Sequence, residues 1–272
     1  MFLSYVVVFW GIGCADELVL FPSRQSIPSF EAKRNILDTE MGRIETFSLL
    51  SRRALEEGGP RAIVLETIPN AGRAEYAWSG AERWANWPVE YVSINYPGYG
   101  QSEGSATLAN VHRSALAAFD AVAARAEGKP IYVSGASLGT TAALHIAANR
   151  PVAGVMLQNP VPLRQLILGH HGWWNLWIVA LPVAMHVPQE LDAIANAKRV
   201  QAPAVFIMAE NDELVTPEYQ HRVAAAYAGE KREIHYPGGH DAEPSGESKD
   251  ALQAGQEWLW QKHFGSSTPS PD

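Results

Sequence analysis

Apolar and polar positions fall into blocks along this chain, with short β-branched and aromatic runs alternating with stretches that repeat apolar residues every three or four positions. The strand-type runs are Leu18–Phe21, Ile44–Leu50, Ala62–Glu66, Val89–Asn95, Ile131–Ser134, Val152–Leu157, Ala204–Met208 and Glu233–Tyr236. Between two of them, Leu108, Val111, Ala115, Ala118, Phe119 and Val122 form one apolar stripe, which predicts an amphipathic helix over Thr107–Ala126. Arg73–Asn86, Leu138–Asn149, Glu218–Ala228 and Ala251–His263 read as further helices, divided by punctuation such as Gly128-Lys129-Pro130. Strands that alternate with helices predict an α/β fold, a mostly parallel sheet with helices on both faces.

Three segments depart from this rhythm. Residues 1–14 hold an apolar run, Phe2 to Ile12, before the first charge at Asp16. It is shorter than the about 20 residues that span a bilayer, and its length suits the core of a signal peptide. Gly11-Ile12-Gly13-Cys14 resembles a bacterial lipoprotein cleavage box, so the chain is expected to be exported or membrane-anchored with a lipid on Cys14, against a cytoplasmic alternative. Residues 160–200 contain no strand pattern yet are strongly apolar, with Trp173, Trp174, Trp177, Ile178 and Leu181, and read as an insertion. Residues 265–272, Gly-Ser-Ser-Thr-Pro-Ser-Pro-Asp, have no apolar content and read as a disordered tail. What remains, residues 15–264, is expected to be one domain.

Charge and composition narrow the function. A formal net charge of −8 without any basic run argues against nucleic acid as a partner. A single cysteine excludes an internal disulfide and a Cys-rich zinc site, and His170-His171 has no carboxylate or further His at ligand spacing. Neither metal nor cofactor is expected.

The pattern G-x-S-x-G occurs twice, around Ser137 (Gly135-Ala-Ser-Leu-Gly139) and around Ser102 (Gly100-Gln-Ser-Glu-Gly104). A nucleophile elbow needs a strand running into a sharp turn and then a helix, with small residues about the serine. Ser137 has that context, since Ile131-Tyr-Val-Ser precedes it and a helix rich in Ala follows. Ser102 follows Pro97-Gly-Tyr-Gly100, a turn-forming run, and reads as a loop serine.

With its elbow and the loop Asn95-Tyr-Pro-Gly-Tyr-Gly-Gln-Ser-Glu-Gly104, the chain resembles the α/β-hydrolase superfamily, and within it the membrane-associated ABHD-type serine hydrolases. The resemblance runs from about Leu18 to His263 and is poorest over residues 160–200. It implies an eight-stranded sheet, Ser137 as nucleophile, and a chain order of serine, acid, histidine. Of nine histidines, His240 follows the last strand run and the flexible Pro237-Gly-Gly239, which makes it the candidate base. Asp212 occupies the acid position of the family pattern G-x-x-D-x-x-V-x-P, here Ala209 to Pro217, with Glu210 and Glu213 as alternatives. The oxyanion hole implied by the resemblance uses the backbone N–H of Leu138 and of Asn70, where relatives carry H-G-N-A-G and this chain reads Ile68-Pro-Asn-Ala-Gly72.

The insertion at 160–200 falls where such enzymes place a lid. A lid lined by Trp173, Trp174 and Trp177 would favour an apolar acyl chain, although a Trp-rich core helix gives the same pattern. The expected activity is hydrolysis of an ester or thioester, extending to acyl lipids. A non-catalytic binding protein on the same fold and a small peptidase or amidase are the alternatives.

Overall fold

The computed structural model describes residues 15–171, 178 and 180–265. Its centre is one eight-stranded sheet: β1 Lys33–Thr39, β2 Gly42–Leu50, β3 Ala62–Thr67, β4 Val89–Ile94, β5 Ile131–Ala136, β6 Gly154–Gln158, β7 Ala204–Ala209 and β8 Lys231–Tyr236. The order across the sheet is β1-β2-β4-β3-β5-β6-β7-β8. β2 pairs antiparallel with both β1 and β4, and every pair from β4 onward is parallel. Central strands covered on both faces have no solvent side on which to place polar residues, which is why Ala62-Ile-Val-Leu and all of Ala204–Ala209 are buried.

Seven of the expected strands are present with shifted ends, but the eighth is not where the apolar pattern put it. Leu18–Phe21 is no strand: Ala15–Val19 forms a short helix, and Leu18 and Phe21 point to solvent. The eighth strand is Lys33–Thr39, joined to β2 by the two-residue turn Glu40-Met41. The turn is closed by the Thr39 hydroxyl, which donates to the Gly42 carbonyl at 2.6 Å, and Gly42 adopts φ 109°. A short apolar run does not by itself distinguish strand from helix, and an edge strand with Lys33, Arg34 and Asp38 lacks the apolar content by which strands are recognised.

Helices cover both faces. On one, the long helix Leu108–Arg125 is capped by the Thr107 hydroxyl, which accepts from the Asn110 N–H, and buries the stripe from Leu108 to Val122. Each fully buried large apolar side chain of that stripe contributes roughly 1.5–3 kcal/mol. The same face carries Leu138–Asn149, and the opposite face is covered by Ala77–Arg83 and Glu247–Phe264 around Trp84, Tyr132 and Trp260. The segment read as Arg73–Asn86 is shorter as an α-helix, beginning with a 3-10 turn at Ala74–Tyr76. The described part of 160–200 is helical, Leu163–His171, Ala180–His186 and Ala193–Ala197. Its Leu163, Val183, Val187 and Leu191 join the main core. Among the described residues, no helix is long and apolar enough to cross a membrane.

Candidate active site

Ser137 stands between β5 and the helix Leu138–Asn149 with φ 49° and ψ −122°, a conformation that L side chains rarely adopt. The two glycines of its motif are there for space. A Cβ on Gly139 would lie 2.1 Å from the Thr67 carbonyl oxygen, and one on Gly135 would lie 2.6 Å from the Gly139 oxygen. Only with both side chains absent can the elbow helix approach β3, where the Thr67 hydroxyl bridges the carbonyls of Ser134 (3.0 Å) and Gly139 (2.8 Å). The Ser137 N–H donates to Gln158 O at 2.9 Å, tying the elbow to the end of β6. The serine is thereby held at the carboxyl end of the parallel strands, where ligands of open α/β sheets bind.

His240 and Asp212 arrive on the loops after β8 and β7. His240 Nε2 lies 3.0 Å from Ser137 Oγ, and His240 Nδ1 lies 2.7 Å from Asp212 Oδ2. A carboxylate accepts only, so Nδ1 carries the proton and Nε2 is left to accept from the serine hydroxyl. The Asp212 side chain is fully buried. Its Oδ1 accepts from the N–H of Leu214 at 2.9 Å and of Val215 at 2.7 Å, and its Oδ2 also receives Gln220 Nε2 at 3.2 Å. Glu210 and Glu213, the alternative acids, are both exposed. The two loops are joined by Glu210 N–H to Tyr236 O at 3.0 Å and Asn211 N–H to Gly238 O at 2.9 Å.

The loop after β3 brings Asn70 to the same end of the sheet. Ala71 takes φ 60°, and a Cβ on Gly72 would meet the Pro69 ring at 2.7 Å, so the sequence Pro-Asn-Ala-Gly forms a tight turn. The Asn70 side chain fixes it: Oδ1 accepts from Phe21 N–H at 2.9 Å and from the Tyr99 hydroxyl at 3.2 Å, while Nδ2 donates to Val19 O at 2.6 Å. These bonds brace a loop that lacks the His and first Gly of H-G-N-A-G. Among the described residues, no protein acceptor takes the backbone N–H of Asn70 or of Leu138.

The second motif has a different use. Ser102 is buried, donates to Asn95 O at 2.9 Å and accepts from Glu45 N–H at 2.9 Å. A Cβ on Gly100 (φ 56°) would lie 2.3 Å from Asn95 Nδ2. Asn95 links the buried carboxylates Glu45 and Glu75 through Nδ2, at 3.0 and 2.9 Å, and its Oδ1 accepts from Ala74 N–H. Glu75 in turn forms a buried ion pair with Arg73. Ser102 is therefore part of a polar brace behind the Asn70 loop, and its hydroxyl bonds to Asn95 and Glu45 and not to Ser137, His240 or Asp212.

No family model matches the chain. It is 27% identical over 188 residues to two uncharacterized proteins of Mycobacterium tuberculosis, a match that covers 68% of this chain and 64% of theirs, less than two thirds of those relatives. Solved structures superpose over most of its length: an esterase of Pyrococcus furiosus (TM-score 0.65, 14% identity, 89% of this chain and 97% of that one). Another is Est1E of Butyrivibrio proteoclasticus (0.64, 14%, 84% and 98%). A third is a Xanthomonas campestris protein described as an α/β serine hydrolase without a lid (0.61, 17%, 92% and 99%). The fold is that of the α/β hydrolases.

Within the α/β-hydrolase fold, Ser137, His240, Asp212, Leu138 and Asn70 all lie at one end of the sheet. Trp173, Trp174, Trp177 and Cys14 fall outside the described residues. Two contacting residues are missing from the sequence reading. Asn159, just past β6 at φ 48°, donates from Nδ2 to His240 O at 2.8 Å and accepts at Oδ1 from Ala209 N–H at 3.1 Å. Gln220 is the other. An Asn directly after a strand, in a fold whose loops carry the site, is the only sequence signal for Asn159. Gln220 carries none, being one polar residue among several in the first turns of its helix.

Proposed function

We propose that the protein is a serine hydrolase that cleaves an ester or thioester through an acyl-enzyme, with Ser137 as nucleophile, His240 as general base and Asp212 as its orienting carboxylate. The observation that carries this reading is the continuous chain Ser137 Oγ–His240 Nε2 (3.0 Å) and His240 Nδ1–Asp212 Oδ2 (2.7 Å) at a strained elbow. Ser137 Oγ bonds to the acyl carbon as His240 Nε2 takes its proton, and the carbonyl oxygen becomes an oxyanion. The free N–H groups of Leu138 and Asn70 are the donors for that charge, a contribution typically of about 2.7–4 kcal/mol per donor. Collapse breaks the bond to the leaving alcohol or thiol, which departs with the proton from His240. Water then repeats the sequence, and the acid and free Ser137 are released.

Apolar surface beside the Asn70 loop supports an acyl-chain substrate delivered from a membrane. Leu18, Phe21, Ile178, Leu181 and Met185 are all at least 48% exposed. Phe21 is bonded to Asn70, and the helix Ala15–Val19 is tied to Ala180–His186 by Asp16 and His186, 3.2 Å apart. In the sequence, the apolar run of residues 1–14 directly precedes the helix Ala15–Val19 of this rim, which supports a membrane anchor through Cys14.

The test is labelling with a fluorophosphonate, which reacts only with an activated serine, followed by a series of nitrophenyl esters and acyl thioesters of graded length. Wild type is expected to be labelled at Ser137 and to prefer longer acyl chains, with Ser137→Ala inert. An unlabelled wild type would favour a binding protein on the same fold. Mass spectrometry of the amino terminus from the native host tests the anchor, and a soluble chain retaining Met1 would remove it.

A further inference from the structure

The helix Pro217–Ala226 follows the acid loop, and its fourth residue, Gln220, turns back beneath that loop, fully buried. Gln220 Nε2 lies 2.7 Å from Val215 O, 3.2 Å from Asp212 Oδ2 and 3.3 Å from Ala209 O. Two N–H bonds thus face three acceptors, all from the segment that carries Asp212. The amide has one sensible orientation, because turning it over would set Oε1 against two carbonyls and a carboxylate. Oε1 has no protein donor among the described residues, an arrangement that an apolar side chain of equal size would avoid.

We infer that Gln220 is a positioning residue for the proposed hydrolysis, acting through Asp212; the inference rests on the serine-hydrolase reading above. The Asp212 carboxylate receives four donors: Leu214 and Val215 N–H at Oδ1, His240 Nδ1 and Gln220 Nε2 at Oδ2. The backbone donors belong to the loop itself and move with it. Gln220 is different, since it spans the Ala209 carbonyl at the end of β7 and the Val215 carbonyl at the far side of the loop, and so fixes the carboxylate relative to the sheet. Its bond to Oδ2 also sets the plane of the carboxylate that His240 meets. Without it, Oδ2 retains one donor, the carboxylate can rotate about its last torsion, and the imidazole follows.

The experiment compares wild type with Gln220→Met, which keeps the volume and removes the amide, and with Gln220→Glu. The readings are kcat and KM on one activated ester from pH 6 to 9, fluorophosphonate labelling, and the downfield proton resonance of the His240–Asp212 hydrogen bond. Gln220→Met should lower kcat about ten- to hundredfold, the loss that follows removal of a hydrogen bond to a charged group, with KM within about twofold and the downfield resonance displaced. The carboxyl of Gln220→Glu, buried against a carboxylate, should hold its proton near neutrality and donate in place of the amide. Its activity should then approach wild type at pH 6 and fall toward pH 9, where wild type stays level. Wild-type kcat with an unmoved resonance in Gln220→Met would overturn the inference. Should Gln220→Met fail to fold, the alkaline fall of Gln220→Glu supports the inference and a level profile overturns it. If wild type is neither labelled nor active, the proposed function fails instead, and the resonance alone still decides the Gln220 contact: displaced in Gln220→Met it stands, unmoved it falls.

Discussion

Acid should destabilise this protein through His145, on the inner face of the elbow helix, independently of any titration at the site. Burial, followed by the charge of His112, pushes the His145 pKa down to about 4; Arg199 and Arg150 add to the depression and Glu190 opposes it. His112, half-buried with its ring 5.2 Å away in an edge contact, is also lowered, by burial first, with Glu190 opposing and Arg113 adding. The hydrogen bonds agree with a neutral ring. Arg199 holds Asn149 Oδ1 at 3.1 Å, so the Asn149 amide turns its NH2 toward His145 Nδ1, 3.3 Å away, and Nδ1 must accept. A proton on Nδ1 would set donor against donor. In the unfolded chain His145 binds a proton below about pH 6.5, and in the folded chain only below about 4, so between those values the unfolded state holds more protons and stability falls as pH falls. The full window amounts to at most about 3.5 kcal/mol, from about 1.4 kcal/mol per pH unit over about 2.5 units. Urea denaturation of wild type and His145→Leu from pH 7.5 to 4 isolates the effect, because the carboxylates contribute alike to both. The wild-type curve should drop relative to the variant by about 2–3 kcal/mol between pH 7 and 4. Parallel curves would refute the reasoning and leave His145 as ordinary packing.

Gly139→Ala should cost a net of about 2 kcal/mol in thermal or urea unfolding, as a clash with the backbone carbonyl of Thr67, at about 3 kcal/mol the upper end of overpacking, outweighs the roughly 1 kcal/mol helix-propensity gain; a stabilised variant would contradict the close approach. Ser102→Ala should destabilise by about 2 kcal/mol through two lost hydrogen bonds, yet retain fluorophosphonate labelling at Ser137; loss of labelling in a folded Ser102→Ala would reverse the roles of the two motifs. Asp212→Asn should lower kcat/KM by about 10⁴-fold, the loss seen for the equivalent change in a serine protease, whereas Glu213→Gln changes it little. Asn159→Ala removes the strap on the His240 loop and should lower kcat more than it raises KM; an unchanged kcat would show that the loop holds itself.

What was legible in the chain was whatever local sequence determines. The elbow could be read because a buried strand, two glycines and a helix of small residues stand in one run of about twenty positions, and the acid and base because each follows a strand pattern. The strand Lys33–Thr39 escaped because its stability comes from pairing with β2 at an exposed edge rather than from an apolar face. Leu18–Phe21 misled because four apolar residues satisfy a strand as well as the end of a short helix and the residues after it, where Ala15 and Leu20 pack into the core. Asn159 showed only its place after a strand, because its partners Ala209 and His240 lie 50 and 81 residues away, and Gln220 showed nothing, because its partners lie within 11 residues but only the folded acid loop turns them toward it.

The site's assembly has a kinetic meaning too. Ser137 and His240 meet across 103 residues, and every strand pair between them is parallel, each requiring its crossover to be closed before the pair can form. Chains dominated by such non-local pairings refold slowly, because loop closure must precede the contacts that reward it. The serine–histidine contact forms only once β5 to β8 are in register, so covalent capture of Ser137 during refolding should lag behind the return of helical signal, making Ser137 a clock for the last step of folding.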